Sequence, residues 1–194
     1  MVNFIFSISL LAELVIVGLL LLSIGTGKFQ FFPPPKRPSW QYSTFWWLYR
    51  IMLLGIVALS FMDFNGLGVQ NYSSRFYIGT VLAIVGFFLA FLITFELGWK
   101  NAHGEAKGLK TKGWYAWSRN PIYLVSIIGF IGWAIAINSV YVYVLYALLI
   151  IFYIVTPFLE EPWLEKQYGD RYLEYKADVA RFFSIQKFRN QLNA

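Results

Sequence analysis

Five long apolar stretches, set apart by polar and charged segments, organise this chain. The first runs from Phe4 to Ile24 and is broken only by Glu13. A run of that length crosses a bilayer as a helix. It opens without Lys or Arg and no small-residue cleavage site follows, so it predicts a span rather than a leader peptide. Glu13 is costly inside a span unless partnered or turned into the bundle. It is expected to be structural, with the lining of a lipid pocket as the other reading. A basic loop over residues 25–43 follows, stiffened by Pro33-Pro34-Pro35. Further helices are predicted at 44–62, with Arg50 near one end and able to snorkel, and at 76–99, with Glu96 in the last turn. A polar turn containing Asn65-Gly66 separates them.

The second half has a different rhythm. Residues 100–120 form a loop that carries Lys100, Lys107, Lys110, Lys112 and Arg119 against the single acid Glu105. Helices at 122–137 and 140–159 flank Asn138-Ser139, a break so short that the two must form an antiparallel hairpin. Beyond Glu160-Glu161-Pro162, residues Leu164, Tyr168, Tyr172, Tyr175 and Val179 recur at helical spacing among polar neighbours. That pattern predicts an amphipathic helix over about 163–179, lying on the membrane or capping the bundle, with Gly169 able to split it in two. No clear structure is expected from Phe182 onwards. The fold class read from this pattern is an all-α integral membrane protein: five transmembrane helices, a C-terminal helical hairpin and a cytoplasmic amphipathic helix, in one domain over 1–194.

Composition narrows the chemistry. The chain is 58% hydrophobic and only 13% charged, about half the charge of a soluble domain. It has no cysteine and one histidine, His103. Thiol catalysis, disulfides and clustered His or Cys metal sites are thereby excluded, and no metal is expected. The net charge of +6 is read as basic loops on one side of a bilayer, not as a nucleic-acid surface. The first loop carries three Lys or Arg, the third loop five and the C-terminal segment six, whereas the opposite side has only Arg75. The N-terminus is then expected outside and the C-terminus in the cytoplasm.

This orientation brings two polar stretches to one cytoplasmic face, at the ends of the hairpin. One is Gly113-Trp-Tyr-Ala-Trp-Ser-Arg-Asn-Pro-Ile-Tyr123 and the other is Glu160-Glu161. Arg119 offers a fork of donors for a carboxylate, and Asn120 offers both a donor and an acceptor. Pro121 marks a helix start, and a helix N-terminus attracts anions. Tyr115, Trp117 and Tyr123 present π-faces to a cation. An interfacial aromatic belt with an ordinary ion pair has the same composition. Dinucleotide, Walker and nucleophile-elbow motifs are all missing, and no placed serine partners His103.

Two blocks add a resemblance. Lys107-Gly-Leu-Lys-Thr-Lys-Gly-Trp-Tyr115 with Arg119-Asn-Pro-Ile-Tyr123, and Glu160-Glu161 with Leu164, Tyr168-Gly169 and Tyr172-Leu-Glu-Tyr175, resemble the paired motifs of the isoprenylcysteine carboxyl methyltransferase family. Phospholipid N-methyltransferases and membrane sterol reductases are its relatives. The compact layout is similar to prokaryotic, archaeal members. The resemblance covers roughly Lys100 to Val179. It implies S-adenosylmethionine as cofactor, with S-adenosylhomocysteine as product, held at the cytoplasmic end of the hairpin. Lys107, Gly108, Leu109, Lys110 and Tyr115 would line it. Asn120, Pro121 and Tyr123 would continue the wall and Glu160 would close it, with Lys100 and His103 just upstream.

Arg119 is expected to hold a carboxylate, and Glu161 to serve as base should the acceptor be an amine. The reaction implied first is methylation of the carboxylate of an isoprenylcysteine-type lipid. Transfer to a phospholipid or other lipid amine is the alternative. A nicotinamide-dependent reductase and a non-catalytic membrane protein stand behind these. Asn120 and Lys107 stand where the family has His, and Thr156 where members commonly have an Arg four residues before the glutamate pair.

Overall fold

A computed structural model describes residues 1–26, 29–35, 39–68, 74–102 and 108–183. No strand occurs among them. The elements are α1 (Val2–Thr26), α2 (Trp40–Met62), α3 (Ser74–Leu97), a short α4 (Trp99–Ala102), a 3-10 turn (Gly113–Ala116), α5 (Pro121–Ile137), α6 (Val140–Tyr168) and α7 (Asp170–Asp178). Among the described residues α1, α2, α3 and α6 are long and apolar enough to cross a membrane, and α5 is apolar but only 17 residues long.

Local chemistry sets the helix ends. α2 begins ahead of the expected Thr44 because Ser39 caps it, its Oγ accepting from the Tyr42 N–H at 3.1 Å. α5 opens on Pro121 and closes at Asn138, which is left-handed at φ 56°. Ser139 then caps α6, accepting from the Val142 N–H. The expected two-residue break thus serves as the end of one helix and the start of the next.

α6 departs from expectation. It does not stop at Leu159 but continues through Pro157 and Pro162 to Tyr168. Each proline removes one backbone N–H from the helix, yet the last turns are held by Leu164 and Tyr168, which pack against Tyr115, Tyr172 and Tyr175. The chain turns at Gly169, whose φ of 55° and ψ of −136° suit a residue without Cβ. Only α7 remains as a separate amphipathic helix. It buries Tyr172 and Tyr175, so of the two placements open to this segment it adopts the one that caps the bundle.

The bundle is built from two close helix pairs joined through α6. α1 lies on α2, and α3 lies on α5. On the second pair Gly79, Ala83 and Gly86 meet Gly129, Gly132 and Ala136, all small residues that let backbones touch. A Cβ on Gly86 would stand 2.3 Å from the Gly129 backbone nitrogen. The principal core joins α1, α2, α5 and α6 around Met52, Ile56, Leu59, Leu145 and Leu149. Trp133 donates its indole N–H to Ser60 at 2.8 Å and ties α5 to α2.

Candidate active site

Between α2, α3, α5 and α6 lies a cavity of about 410 Å³. One end is bordered by the loop at Gly108, Leu109 and Lys110, by the Arg119-Asn120 turn and by Glu160. The other end is aromatic, with Phe45, Trp46 and Tyr49 from α2 facing Phe152 and Tyr153 from α6. Lys110, Arg119 and Glu160 are the charged side chains on its wall among the described residues.

The polar end is assembled by a few directed bonds. Tyr123, in the first turn of α5, donates its hydroxyl to Glu160 Oε1 at 2.8 Å. The Gly108 N–H reaches the Tyr168 hydroxyl at 3.3 Å, and Asn101 donates to the Gly108 carbonyl at 3.3 Å, so the loop is tied to both α4 and α6. Tyr175 donates to the Tyr115 carbonyl at 2.6 Å and fixes α7 on the 3-10 turn. Burial pushes the phenols of Tyr115, Tyr172 and Tyr175 up, so all three stay neutral donors.

Beside the cavity stands an ionic cage. Glu161 is 4% exposed and receives two bonds from Arg181, Nε at 2.7 Å and a terminal nitrogen at 2.8 Å. Arg119 lies 2.9 Å from the same carboxylate, and Lys176 3.6 Å. The hydrogen bond to Glu161 raises the Arg181 guanidinium further above its ordinary value, against the opposing effect of burial. The Arg181 carbonyl accepts from Asn120 Nδ2 at 3.0 Å and from Ser118 Oγ at 3.3 Å, while the Arg119 N–H donates to the Ala180 carbonyl at 3.0 Å. Residues 180–181 therefore strap the Arg119-Asn120-Pro121 turn to α6. Arg119 Nε is buried and has no hydrogen-bond partner among the described residues.

Eight of the expected site residues border the cavity: Gly108, Leu109, Lys110, Tyr115, Arg119, Asn120, Tyr123 and Glu160. Pro121 is buried in the first turn of α5 and does not line it. Lys100 lies on α4. His103 and Lys107 lie outside the described residues. Glu161, expected at the mouth beside Glu160, does not border the cavity. Adjacent residues on a helix do not face the same way, so Glu160 meets the cavity while Glu161 is enclosed by Arg119, Arg181 and Lys176. A carboxylate held by three cations is a poor proton acceptor.

Comparison with known protein families matches residues 74–171 to the phospholipid methyltransferase family. The matched segment is half of the chain and runs from the start of α3 into α7. The chain belongs to the phospholipid methyltransferase family. This family shares a group of integral membrane methyltransferases with the isoprenylcysteine carboxyl enzymes, in keeping with the resemblance of the two blocks. Membership makes the protein a membrane methyltransferase, and the donor that the family implies is S-adenosylmethionine. No curated protein and no solved structure gave a match.

Several residues of the cavity wall escape a reading of sequence motifs. Tyr49 lies on α2, outside both blocks and outside the matched segment. Tyr153 sits seven positions before Glu160, two helical turns, and so on the same face; that spacing was the available signal. Arg181 follows the last periodic residue, Val179, and nothing in its neighbours announces the strap.

Proposed function

We propose that the protein transfers the methyl group of S-adenosylmethionine to an amine on a membrane lipid. The observation that carries this reading is a cavity that joins a charged end, at Lys110 and Glu160, to an aromatic end inside the helix bundle. A polar cofactor and an apolar chain can share it.

The residues present fit that cofactor. The unpartnered Arg119 Nε and Lys110 suit a carboxylate, Glu160 suits an ammonium, and the rings of Tyr115, Tyr123 and Tyr172 suit a sulfonium or an adenine. When bound, S-adenosylmethionine supplies an electrophilic methyl group. The chain's own contribution is to hold the two reactants in line and keep water out. Tyr123 fixes the Glu160 carboxylate through its hydroxyl, leaving its other oxygen for the cofactor's ammonium. The apolar chain would enter sideways from the bilayer towards Phe45, Phe152 and Leu97.

The engagement of Arg119 by Glu161 leaves Nε as its spare donor; spent on the cofactor's carboxylate, it leaves none to grip a substrate carboxylate, which supports an amine acceptor. Thr156 spends its hydroxyl on the Phe152 carbonyl at 2.7 Å and offers no replacement. The isoprenylcysteine carboxylate remains the second reading, favoured by the spare donor at Arg119 Nε. The cytoplasmic placement of the site, five spans and one domain over 1–194 belong to the same proposal, supported by the charge asymmetry of the loops.

The test is transfer of labelled methyl groups in proteoliposomes that contain either phosphatidylethanolamine or a farnesylcysteine acceptor. Label in the amine lipid is expected. Label only in the farnesylcysteine would reverse the order of the two readings, and label in neither would overturn the function.

A further inference from the structure

The aromatic end of the cavity is not wholly apolar. Tyr49 from α2 and Tyr153 from α6 bring their hydroxyls to 2.8 Å of one another, and both residues line the cavity. Neither hydroxyl has another partner among the described residues. Tyr49 lies nine residues into α2, roughly 14 Å from its start along the axis. Polar groups at that depth are costly in hydrocarbon, and Phe45 and Phe152 beside the pair fill their places with plain rings. The polar character continues behind the pair. Glu13 is 2% exposed, neither of its carboxyl oxygens has a partner, and it borders a gap shared with Tyr49 and Phe152.

An interhelical clamp explains only half of this chemistry. Two phenols carry two protons, and one bond between them uses one. Whichever hydroxyl donates, the other keeps an O–H free for a third group. On α6, Tyr153 and Glu160 are separated by seven residues, roughly 10 Å along one helix face. Tyr123 fills the interval, its ring 5.2 Å from that of Tyr153 and its hydroxyl on Glu160. The wall therefore presents a carboxylate, an apolar step, and then a single hydrogen-bond donor.

We propose that the Tyr49–Tyr153 pair is a specificity subsite that donates one hydrogen bond to an acceptor oxygen on the lipid, about two helical turns below its reacting group. This rests on the lipid methyltransferase reading for what happens at Glu160. The ester carbonyls of a glycerolipid lie at such a remove from a headgroup amine, across a phosphate linker. A prenyl chain has no oxygen there and leaves the donor unmet. A buried polar group left unpaired is the strongest discriminator a pocket has.

The test uses Tyr49→Phe, Tyr153→Phe and the double variant. Binding of short-chain diacyl phosphatidylethanolamine and of dodecylamine is followed by the fluorescence of the cavity tryptophans, Trp46 and Trp163. Each single variant keeps one O–H, so each should bind the diester lipid within about two-fold of wild type, while the double variant loses about ten-fold. Dodecylamine, which has no oxygen to meet the donor, should bind all four proteins alike. Thermal unfolding of each variant reports the clamp separately: either single substitution breaks it, and the second adds little. Loss of lipid binding in full with either single variant, equal losses on both ligands, or no loss in the double variant would overturn the subsite. The readout requires no methyl transfer, so failure of the catalytic reading would leave it standing or falling by itself.

Discussion

The Arg119 guanidinium stands 2.9 Å from the Glu161 carboxylate, with only 7% and 5% of the two side chains exposed. This contact joins the turn before α5 to the far end of α6, and Arg181 closes it from the C-terminal side. Removing one member leaves buried charge without compensation. Glu161→Ala should cost about 3–5 kcal/mol, whereas Arg119→Ala with Glu161→Ala should cost less than the two losses added. Arg181→Lys should recover little, because an ammonium lacks the two-pronged geometry that meets Glu161. Thermal unfolding in detergent measures all of these. A neutral Glu161→Ala would show that the cage has no structural role.

The α3–α5 seam has no room to spare. Gly86→Ala places a methyl group against the Gly129 backbone and should destabilise the protein by about 1–3 kcal/mol. Gly18 has no neighbour within 4 Å of an added Cβ, so Gly18→Ala should be neutral or slightly stabilising by helix propensity. Equal melting temperatures for these two variants would argue against the close helix approach.

The seam also marks what the sequence conceals. The hairpin and the approach of the Arg119 stretch to Glu160-Glu161 follow from spacing, because a two-residue break leaves the chain no alternative. Small residues at 79, 83 and 86 carry no hydrophobic signal and gain meaning only against 129, 132 and 136. The two glutamates read as one site because they are neighbours in sequence, but the helix turns them to different surroundings. Tyr49 reads as one more ring in the Phe45-Trp46-Trp47 belt, and only the packing of α2 on α6 gives its hydroxyl a partner. A helix beyond Pro162 and its division at Gly169 were legible in the spacing, but the continuity of α6 past Leu159 was not, because two prolines announce an end that the packing of Leu164 and Tyr168 overrides.

The absence of native cysteine makes the orientation directly testable. Lys112→Cys, on the exposed basic loop, and Leu67→Cys, on the exposed turn after α2, should react with an impermeant thiol reagent from opposite sides of a sealed vesicle. Lys112→Cys should label from the cytoplasmic side. Labelling of both from one side would contradict the placement of α3 as a span, and exchange of the two sides would invert the protein.

Tyr123 is expected to act through Glu160. Tyr123→Phe keeps the ring against Tyr153 but removes the donor at 2.8 Å. A hydrogen bond to a charged group contributes about 1.5–3 kcal/mol to stability, so the melting temperature should fall, and S-adenosylmethionine should bind more weakly because the Glu160 carboxylate is no longer held in place. An unchanged affinity would remove Glu160 from the cofactor wall.

The central claim is that the charged end of this cavity holds the methyl donor. Calorimetric titration of the detergent-solubilised protein with S-adenosylmethionine and S-adenosylhomocysteine, beside a Glu160→Ala control of unchanged melting temperature, tests it most directly. Micromolar binding of both ligands, abolished by the substitution, is the predicted result. A folded wild-type protein that binds neither, or a Glu160→Ala variant that binds both as well as wild type, would contradict it.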